Sequence, residues 1–363
     1  MGYDRQPDTT EENVVAKSLT RRRSAGILAA LVLVAGLAAC GDDSESSSGG
    51  SGSDETISIV GFAVPEAANK AIAAEWGETP EGKGVKFVTS YGASGDQSRA
   101  VVDGLEADYV HFSVSSDVTR LVDNDLVADT WDDGSNKGIV STSIVVFGVP
   151  KGNPDNIQDW DDLIKPGVEI VTPNPASSGA ARWNALAAYG QVIESGGTEA
   201  EAEEYLTKFF DNVVALPGSG RDATTAFING TGNVLMAYEN EAILAAQNGQ
   251  DFDYVIPETT LLIENPGAVL IDATPKATEW LDFVLSSGGQ TEFALKGFRP
   301  LAGVEVDVDE VEGANDPKNP YPPVKNLLTV KDDFESWDAL SKKFFDEENG
   351  SITIIIAESG KAS

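Results

Sequence analysis

The chain has 363 residues, 41% of them hydrophobic, which is enough for one large or two ordinary domains. Against 25 Lys+Arg stand 59 Asp+Glu, a formal net charge of −34 that sets the chain against nucleic acid and anionic membrane surfaces, both of which repel it. One Cys (Cys40) and one His (His111) exclude an intramolecular disulfide and Cys/His metal clusters, and leave only His111 for hydrolase machinery of the Ser-His-Asp or Cys-His kind.

The first element in chain order is a targeting signal. Arg21, Arg22 and Arg23 precede the apolar run Ile27–Ala39, "ILAALVLVAGLAA", which is too short for a spanning helix. Leu37-Ala38-Ala39-Cys40 resembles the bacterial lipobox, in which the Cys becomes the lipidated first residue of the mature protein. Residues 1–39 are therefore expected to be a lipoprotein signal peptide, with Cys40 as the lipidation site. Thr20-Arg-Arg-Arg-Ser is a poor twin-arginine match. The Gly/Ser/acid stretch that completes residues 40–54 has the composition of a flexible tether. The expected arrangement is a lipid anchor, a leash and a soluble body outside the cytoplasmic membrane.

In the body, "TISIVGF" (56–62) reads as a strand, residues 65–76 as a helix opened by Pro65, and "GVKFVTSYG" (84–92) as a second strand. A helix over 97–106 and the strand "DYVHFSV" (108–114) follow, and the alternation predicts an α/β body with a largely parallel sheet. His111 falls inside that strand, where a satisfied core residue is the expectation. Further strands are expected at 139–150, 167–173, 212–218 and 252–260. Residues 233–249 read as a strand running into a helix, and further helices are expected at 178–194, 199–211, 222–229, 276–286, 289–296 and 332–345. The acidic stretch Asp307–Gly313 is not a calcium loop, because its Gly is at the wrong position.

Three strand-to-helix turns carry the functional signal. Ser177-Ser178-Gly179-Ala180-Ala181 opens a helix whose first turn has no side-chain charge. The first N–H groups of a helix lack internal partners, and the dipole adds about +0.5 elementary charge there. Gly and Ala leave those amides uncovered, so the start can hold an anion without Lys or Arg. Tyr91-Gly92-Ala93-Ser94-Gly95 and Leu216-Pro-Gly-Ser-Gly-Arg221 repeat the arrangement, as suits a ligand held where helix starts converge. Asp96 and Asp222 fall in first turns, where an Asp usually stabilises the helix start. Arg182, a turn into its helix, is expected to pair with a neighbouring carboxylate or support the pocket from behind, and neither it nor Arg221 is expected to clamp a ligand.

The segments "SYGASGDQSRAVVDGLEADYV", "GNPDNIQDWDDLIKPGVEIVTPNPASSGAARWNALAAYG", "GNVLMAYENEA" and "TEFALKGFRP" resemble the sulfate-binding components of bacterial ABC importers, from Ile57 to about residue 345. The resemblance implies a two-lobed periplasmic-binding-protein type II fold, α/β, each lobe a mixed, mainly parallel sheet flanked by helices, joined by two hinge strands. It also implies a bare sulfate dianion buried between the lobes on main-chain N–H groups, a Ser hydroxyl and an indole N–H. Carried onto this chain, the ligand-binding positions are Val64, Ser94, Ser178, Gly179, Ala180, Gly220 and Tyr238. Val64-Pro65 replaces the family's Asp-Pro, Ala180 replaces a Gly, Gly220 an Ala, and Tyr238 the indole.

Lobe one is expected over 55–142 and 256–345, lobe two over 143–255, with crossovers near 141–149 and 252–258 and a C-terminal tail over 346–363. The expected function is an extracytoplasmic, lipid-anchored, monomeric receptor that delivers sulfate to ABC importer permease subunits, with no cofactor, no metal and no catalysis. The alternatives are another tetrahedral oxyanion (thiosulfate, molybdate or phosphate) or, with less support, an exported hydrolase.

Overall fold

The computed structural model describes residues 55–361. The expected signal peptide, the lipidation expected at Cys40 and the expected tether lie outside the described residues. Among the described residues no helix is long and apolar enough to cross a membrane.

The chain opens with β1 (Thr56–Phe62), α1 (Glu66–Gly77), β2 (Lys86–Gly92), α2 (Ser94–Val102), β3 (Tyr109–His111) and α3 (Ser115–Val122). β1 lies between β2 and β3 and parallel to both, with Phe62 opposite Gly92 and Gly61 opposite His111. The middle of the chain gives β4 (Ile139–Pro150), α4 (Trp160–Leu163), β5 (Ile170–Val171), α5 (Gly179–Glu194), α6 (Glu199–Asp211), β6 (Val213–Ala215), α7 (Gly220–Ile228), β7 (Val234–Tyr238), α8 (Glu239–Gln247) and β8 (Phe252–Val255). The last part comprises β9 (Thr259–Val269), α9 (Pro275–Leu285), α10 (Ser287–Leu295), β10 (Asn326–Leu328), α11 (Val330–Asp333), α12 (Trp337–Phe344) and α13 (Ser351–Glu358).

The strand order is β2-β1-β3-β9-β4-β7-β5-β6, with β10 beside β9 and β8 beside β4. The outer groups β2-β1-β3 and β7-β5-β6 are parallel. They are joined through β9 and β4, which run antiparallel to each other and to the groups they meet. The result is a mixed sheet in two halves flanked by helices, the α/β architecture expected. β9 is the element the sequence conceals. Asn265-Pro266-Gly267 carries turn residues, yet here the strand changes partner without turning. Residues up to Pro266 pair with β4, and from Gly267 onward with β3. The missing Pro266 N–H is tolerated at that handover. Gly267 is required, because a Cβ there would lie 2.4 Å from the Tyr109 hydroxyl.

Two expectations change. The second strand shared by both halves is β9, just beyond the 252–258 run, because β8 spends its hydrogen bonds on β4 alone. The segment read as a C-terminal tail, 346–363, carries α13, which buries Ile352 and Ile356 and packs on α6. Before it, the helix expected over 332–345 breaks into α11 and α12, each with its own hydroxyl cap, Thr329 and Ser336.

The core centres on α5, which buries eleven residues from Gly179 to Gly190 on every face. A helix apolar all round belongs in the interior. Trp183 is fully buried and meets Trp337 of α12 edge-to-face at 4.6 Å. A second aromatic group, Trp76, Phe87, Tyr109 and Trp280, packs under β1 and β3 with ring centroids 5.0–6.2 Å apart.

Candidate functional site

Helices in this chain start in two ways. Those at Asp159, Thr198, Ser219, Ser286, Thr329 and Ser336 have a side-chain oxygen accepting a first-turn N–H, with full capping boxes at Asp159–Asp162 and Thr198–Glu201. By contrast α1, α2, α3, α5, α8, α9 and α13 start at Pro65, Ala93, Val114, Ser178, Tyr238, Thr274 and Gly350 with no side-chain cap. Ser94, Ser178, Gly179 and Ala180 are buried there. Helix starts removed from water need some acceptor for their N–H groups. The N–H groups of Val64, Ser94, Gly179, Ala180 and Gly220 have none among the described residues.

These starts converge. Gly95 N–H donates to Ser177 O at 3.0 Å, joining the start of α2 to the turn before α5. Ser177 Oγ donates to Gly218 O at 2.8 Å, joining that turn to the one before α7. A Cβ on Gly220 would lie 3.2 Å from Val64 Cγ2 and 3.3 Å from Ala180 Cβ. A Cβ on Gly179 would lie 2.5 Å from both Cβ and Oγ of Ser113. Glycine at 179 is therefore imposed by a close approach between the two halves of the sheet, with Ser113 just past β3 on one side and α5 on the other. Six of the seven residues expected from sequence (Val64, Ser94, Ser178, Gly179, Ala180 and Gly220) sit in this cluster of helix starts, and the seventh, Tyr238, joins it through Ser113.

Each residue's donors can be assigned. Ser178 N–H donates to Asn174 O at 2.8 Å, so what Ser178 offers is its hydroxyl, which has no partner among the described residues. Ser94 is the reverse case. Its hydroxyl donates to Asp117 Oδ2 at 2.6 Å and accepts from Ser113 N–H at 2.9 Å, leaving the backbone N–H as its free donor. Tyr238 Oη lies 2.7 Å from Ser113 Oγ and accepts from Asn265 Nδ2 at 3.3 Å. Burial pushes the Tyr238 phenol well above its usual range, so it stays protonated.

The cations nearby are committed elsewhere. Arg221 makes a fork with Glu241 at 2.9 and 2.7 Å and also donates to Val64 O at 3.2 Å. Arg299 makes a second fork with buried Glu239 at 2.7 and 3.0 Å. Burial raises the Glu239 carboxyl and Arg299 opposes the rise. Arg120 pairs with the buried Asp117 at 2.9 Å. Arg182, for which a carboxylate partner was one expectation, has no ion pair among the described residues. Its Nε donates to Pro175 O at 3.1 Å, bracing the loop before α5, and its guanidinium lies 5.3 Å from the Phe345 ring. Asp96 and Asp222 serve helix starts as expected, Asp96 paired with Arg99 and Asp222 accepting from Ser219 Oγ at 2.7 Å. The arrangement presents amide and hydroxyl donors, and the carboxylates named beside it accept hydrogen bonds from Arg or Ser, so it suits an oxyanion that carries no proton.

Ser113 and Asn265 were missed in the sequence. Ser113 lies in "HFSV" with no Gly or Pro beside it, and Asn265 sits in what reads as a turn. Among the described residues no group of three or more His, Cys, Asp or Glu side chains is arranged to hold a metal ion.

Comparison with known proteins places the chain in a family. The family model for bacterial extracellular solute-binding proteins matches residues 57–299. A sulfate-binding protein of Synechococcus elongatus is 40% identical over 340 residues, covering 90% of this chain and 94% of that protein. A thiosulfate-binding protein of Pseudomonas aeruginosa is 38% identical over 243 residues, covering 64% of this chain and 73% of that protein. Among solved structures, the sulfate-binding protein SubI from Mycobacterium tuberculosis superposes with a TM-score of 0.75 at 40% identity, over 80% of this chain and all of that one. With the two-halved sheet and the buried, uncapped helix starts, these matches show that the chain belongs to the bacterial extracellular solute-binding proteins, with the fold of the periplasmic binding proteins.

Proposed function

We propose that the protein is an exported receptor that binds inorganic sulfate between the two halves of its sheet and delivers it to the permease subunits of an ABC importer. The observation that carries this reading is the meeting of several buried helix starts whose N–H groups have no acceptor among the described residues. The N–H groups of Val64, Ser94, Gly179, Ala180 and Gly220 and the hydroxyl of Ser178 are the proposed donors, with Tyr238 acting beside them. Lipidation at Cys40 would tether the receptor, as a monomer, to the outer face of the cytoplasmic membrane. The proposed lobes are 55–142 with the segment from 256 onward, and 143–255, with β4 and β9 as hinge strands. No catalysis and no cofactor are expected.

The chemistry explains selectivity. Sulfate at neutral pH only accepts hydrogen bonds, so a donor-only site satisfies it. Hydrogen phosphate must also donate, and burying that proton without an acceptor costs about 1–3 kcal/mol. Thiosulfate is the second reading, supported by the Pseudomonas aeruginosa relative and by the same lack of a proton.

Calorimetric titration with sulfate, thiosulfate, molybdate and phosphate is the test. Sulfate is expected to bind, and phosphate about 5- to 150-fold more weakly at neutral pH. Ser178→Leu, which removes a hydroxyl and fills the start of α5, is expected to abolish binding with the fold intact. Absence of heat with sulfate at low micromolar protein would reject the reading.

A further inference from the structure

A chain of buried polar side chains runs through the sheet to the start of α5, and its hydrogen-bond directions can be worked out one by one. Asn69, His111, Ser141, Asn265, Tyr238 and Ser113 are all buried. Asn265 fixes the polarity. Its Nδ2 donates to Ser113 O at 2.9 Å and to Tyr238 Oη at 3.3 Å, which uses both amide protons. Its Oδ1 accepts from Ser141 Oγ at 3.4 Å. Giving that proton to His111 Nε2 instead would leave the buried Asn265 Oδ1 without a donor, so Ser141 Oγ accepts from His111 Nε2 at 3.1 Å and His111 is the Nε2–H tautomer. Nδ1 lies 3.3 Å from both Nδ2 and Oδ1 of Asn69, and in this tautomer it accepts from Nδ2.

At the other end, Tyr238 Oη already accepts from Asn265, and the one acceptor for its own proton among the described residues is Ser113 Oγ at 2.7 Å; either oxygen of that pair can donate, and the direction taken is the one that satisfies the buried phenol. Ser113 Oγ therefore accepts, and its hydroxyl proton has no acceptor among the described residues. That hydroxyl lies against the first residue of α5, where a Cβ on Gly179 would come within 2.5 Å of it.

We propose that Ser113 is a ligand donor beside the amides of α5, and that the relay from His111 through Ser141, Asn265 and Tyr238 holds its proton toward the anion. The proposal rests on the oxyanion reading of the site. It gives Tyr238 a role as a positioning residue, reaching the anion through Ser113. It also sharpens selectivity. To accept a proton from hydrogen phosphate, Ser113 must either leave its own proton without an acceptor or turn it back onto Tyr238. Tyr238 would then lose its acceptor, or Asn265 would have to flip and forfeit its bond to Ser113 O. Each alternative strands a buried polar group. Burial holds the imidazole neutral, as the relay requires.

The chain has one histidine, so a long-range ¹H–¹⁵N correlation spectrum of the full protein reports its tautomer without assignment. The Nε2–H neutral form is expected at pH 7, with or without sulfate; the Nδ1–H form would overturn the relay. Calorimetry tests the donor. Ser113→Ala keeps the backbone bonds of residue 113 and is expected to weaken sulfate about tenfold while weakening phosphate less, narrowing the ratio between them. Tyr238→Phe, which frees the Ser113 hydroxyl to rotate, is expected to narrow the same ratio with a smaller loss of sulfate affinity. Unchanged sulfate affinity and ratio in Ser113→Ala would sink the proposal while leaving the sulfate reading intact. Failure of the unsubstituted protein to bind any of these anions would instead defeat the oxyanion reading itself, and the tautomer measurement stands apart from either result.

Discussion

Gly179 shows how narrowly single residues set this site. Its φ is not left-handed, so no backbone strain explains the glycine. The reason is contact, since a Cβ would meet Ser113 Cβ and Oγ at 2.5 Å, a separation that real Cβ atoms essentially never show. Gly179→Ala keeps the amide that the site offers, yet it must push α5 away from β3. Overpacking of this kind costs about 1–3 kcal/mol, and loss of ligand affinity should accompany a fall in the urea midpoint. If Gly179→Ala leaves both unchanged, the two halves of the sheet do not meet as described. Sequence signals found Gly179 because Ser-Ser-Gly-Ala is a helix start with recognisable chemistry. They passed over Ser113 because a lone Ser after a strand carries no local signature. What distinguishes it is tertiary, namely the side chains of Tyr238 and Asn265 and the start of α5.

Among elements, those bounded by local rules were legible and those set by distant partners were not. α6 carries its own capping box and an amphipathic pattern, and lies where residues 199–211 placed it. β9 has neither a clean alternation nor a clean boundary, because its two ends serve two partners through a Pro-Gly step. α12 was predicted as part of one longer helix, yet its contribution is tertiary. Trp337 packs on Trp183, whose indole N–H donates to Ser113 O at 2.9 Å. The C-terminal segment thus buttresses the helix that opens the site. Trp337→Ala should destabilise the protein by about 3–5 kcal/mol through the cavity left beside Trp183. Chemical denaturation reads this directly, and a loss well under 1 kcal/mol would mean that α12 is not seated on α5.

Across the whole molecule, the pairing of cations and the burial of His111 set the response to pH. A net charge of −34 is compatible with the proposed anion site, because net charge acts over the surface whereas that site would work through oriented amides in the interior. The same interior leaves no room for a charged imidazole. Burial lowers the His111 pKa from its ordinary 6.5 to about 3, among Asn69, Ser141, Phe62, Tyr109 and Phe293. Above pH 6.5 the ring is neutral in both folded and unfolded chains, and pH has no leverage through it. Between 6.5 and 3 the unfolded chain takes up a proton that the folded chain refuses, so stability falls with acidification at up to about 1.4 kcal/mol per pH unit. Carboxylate protonation acts over part of the same range and complicates the absolute curve. It is common to wild type and to His111→Gln, which has no group titrating at that position. The stability advantage of the wild type over His111→Gln should therefore be greatest at pH 7 and shrink steadily toward pH 4. A difference independent of pH would show that the imidazole takes up its proton inside the fold, and that the neutral tautomer on which the relay depends does not hold.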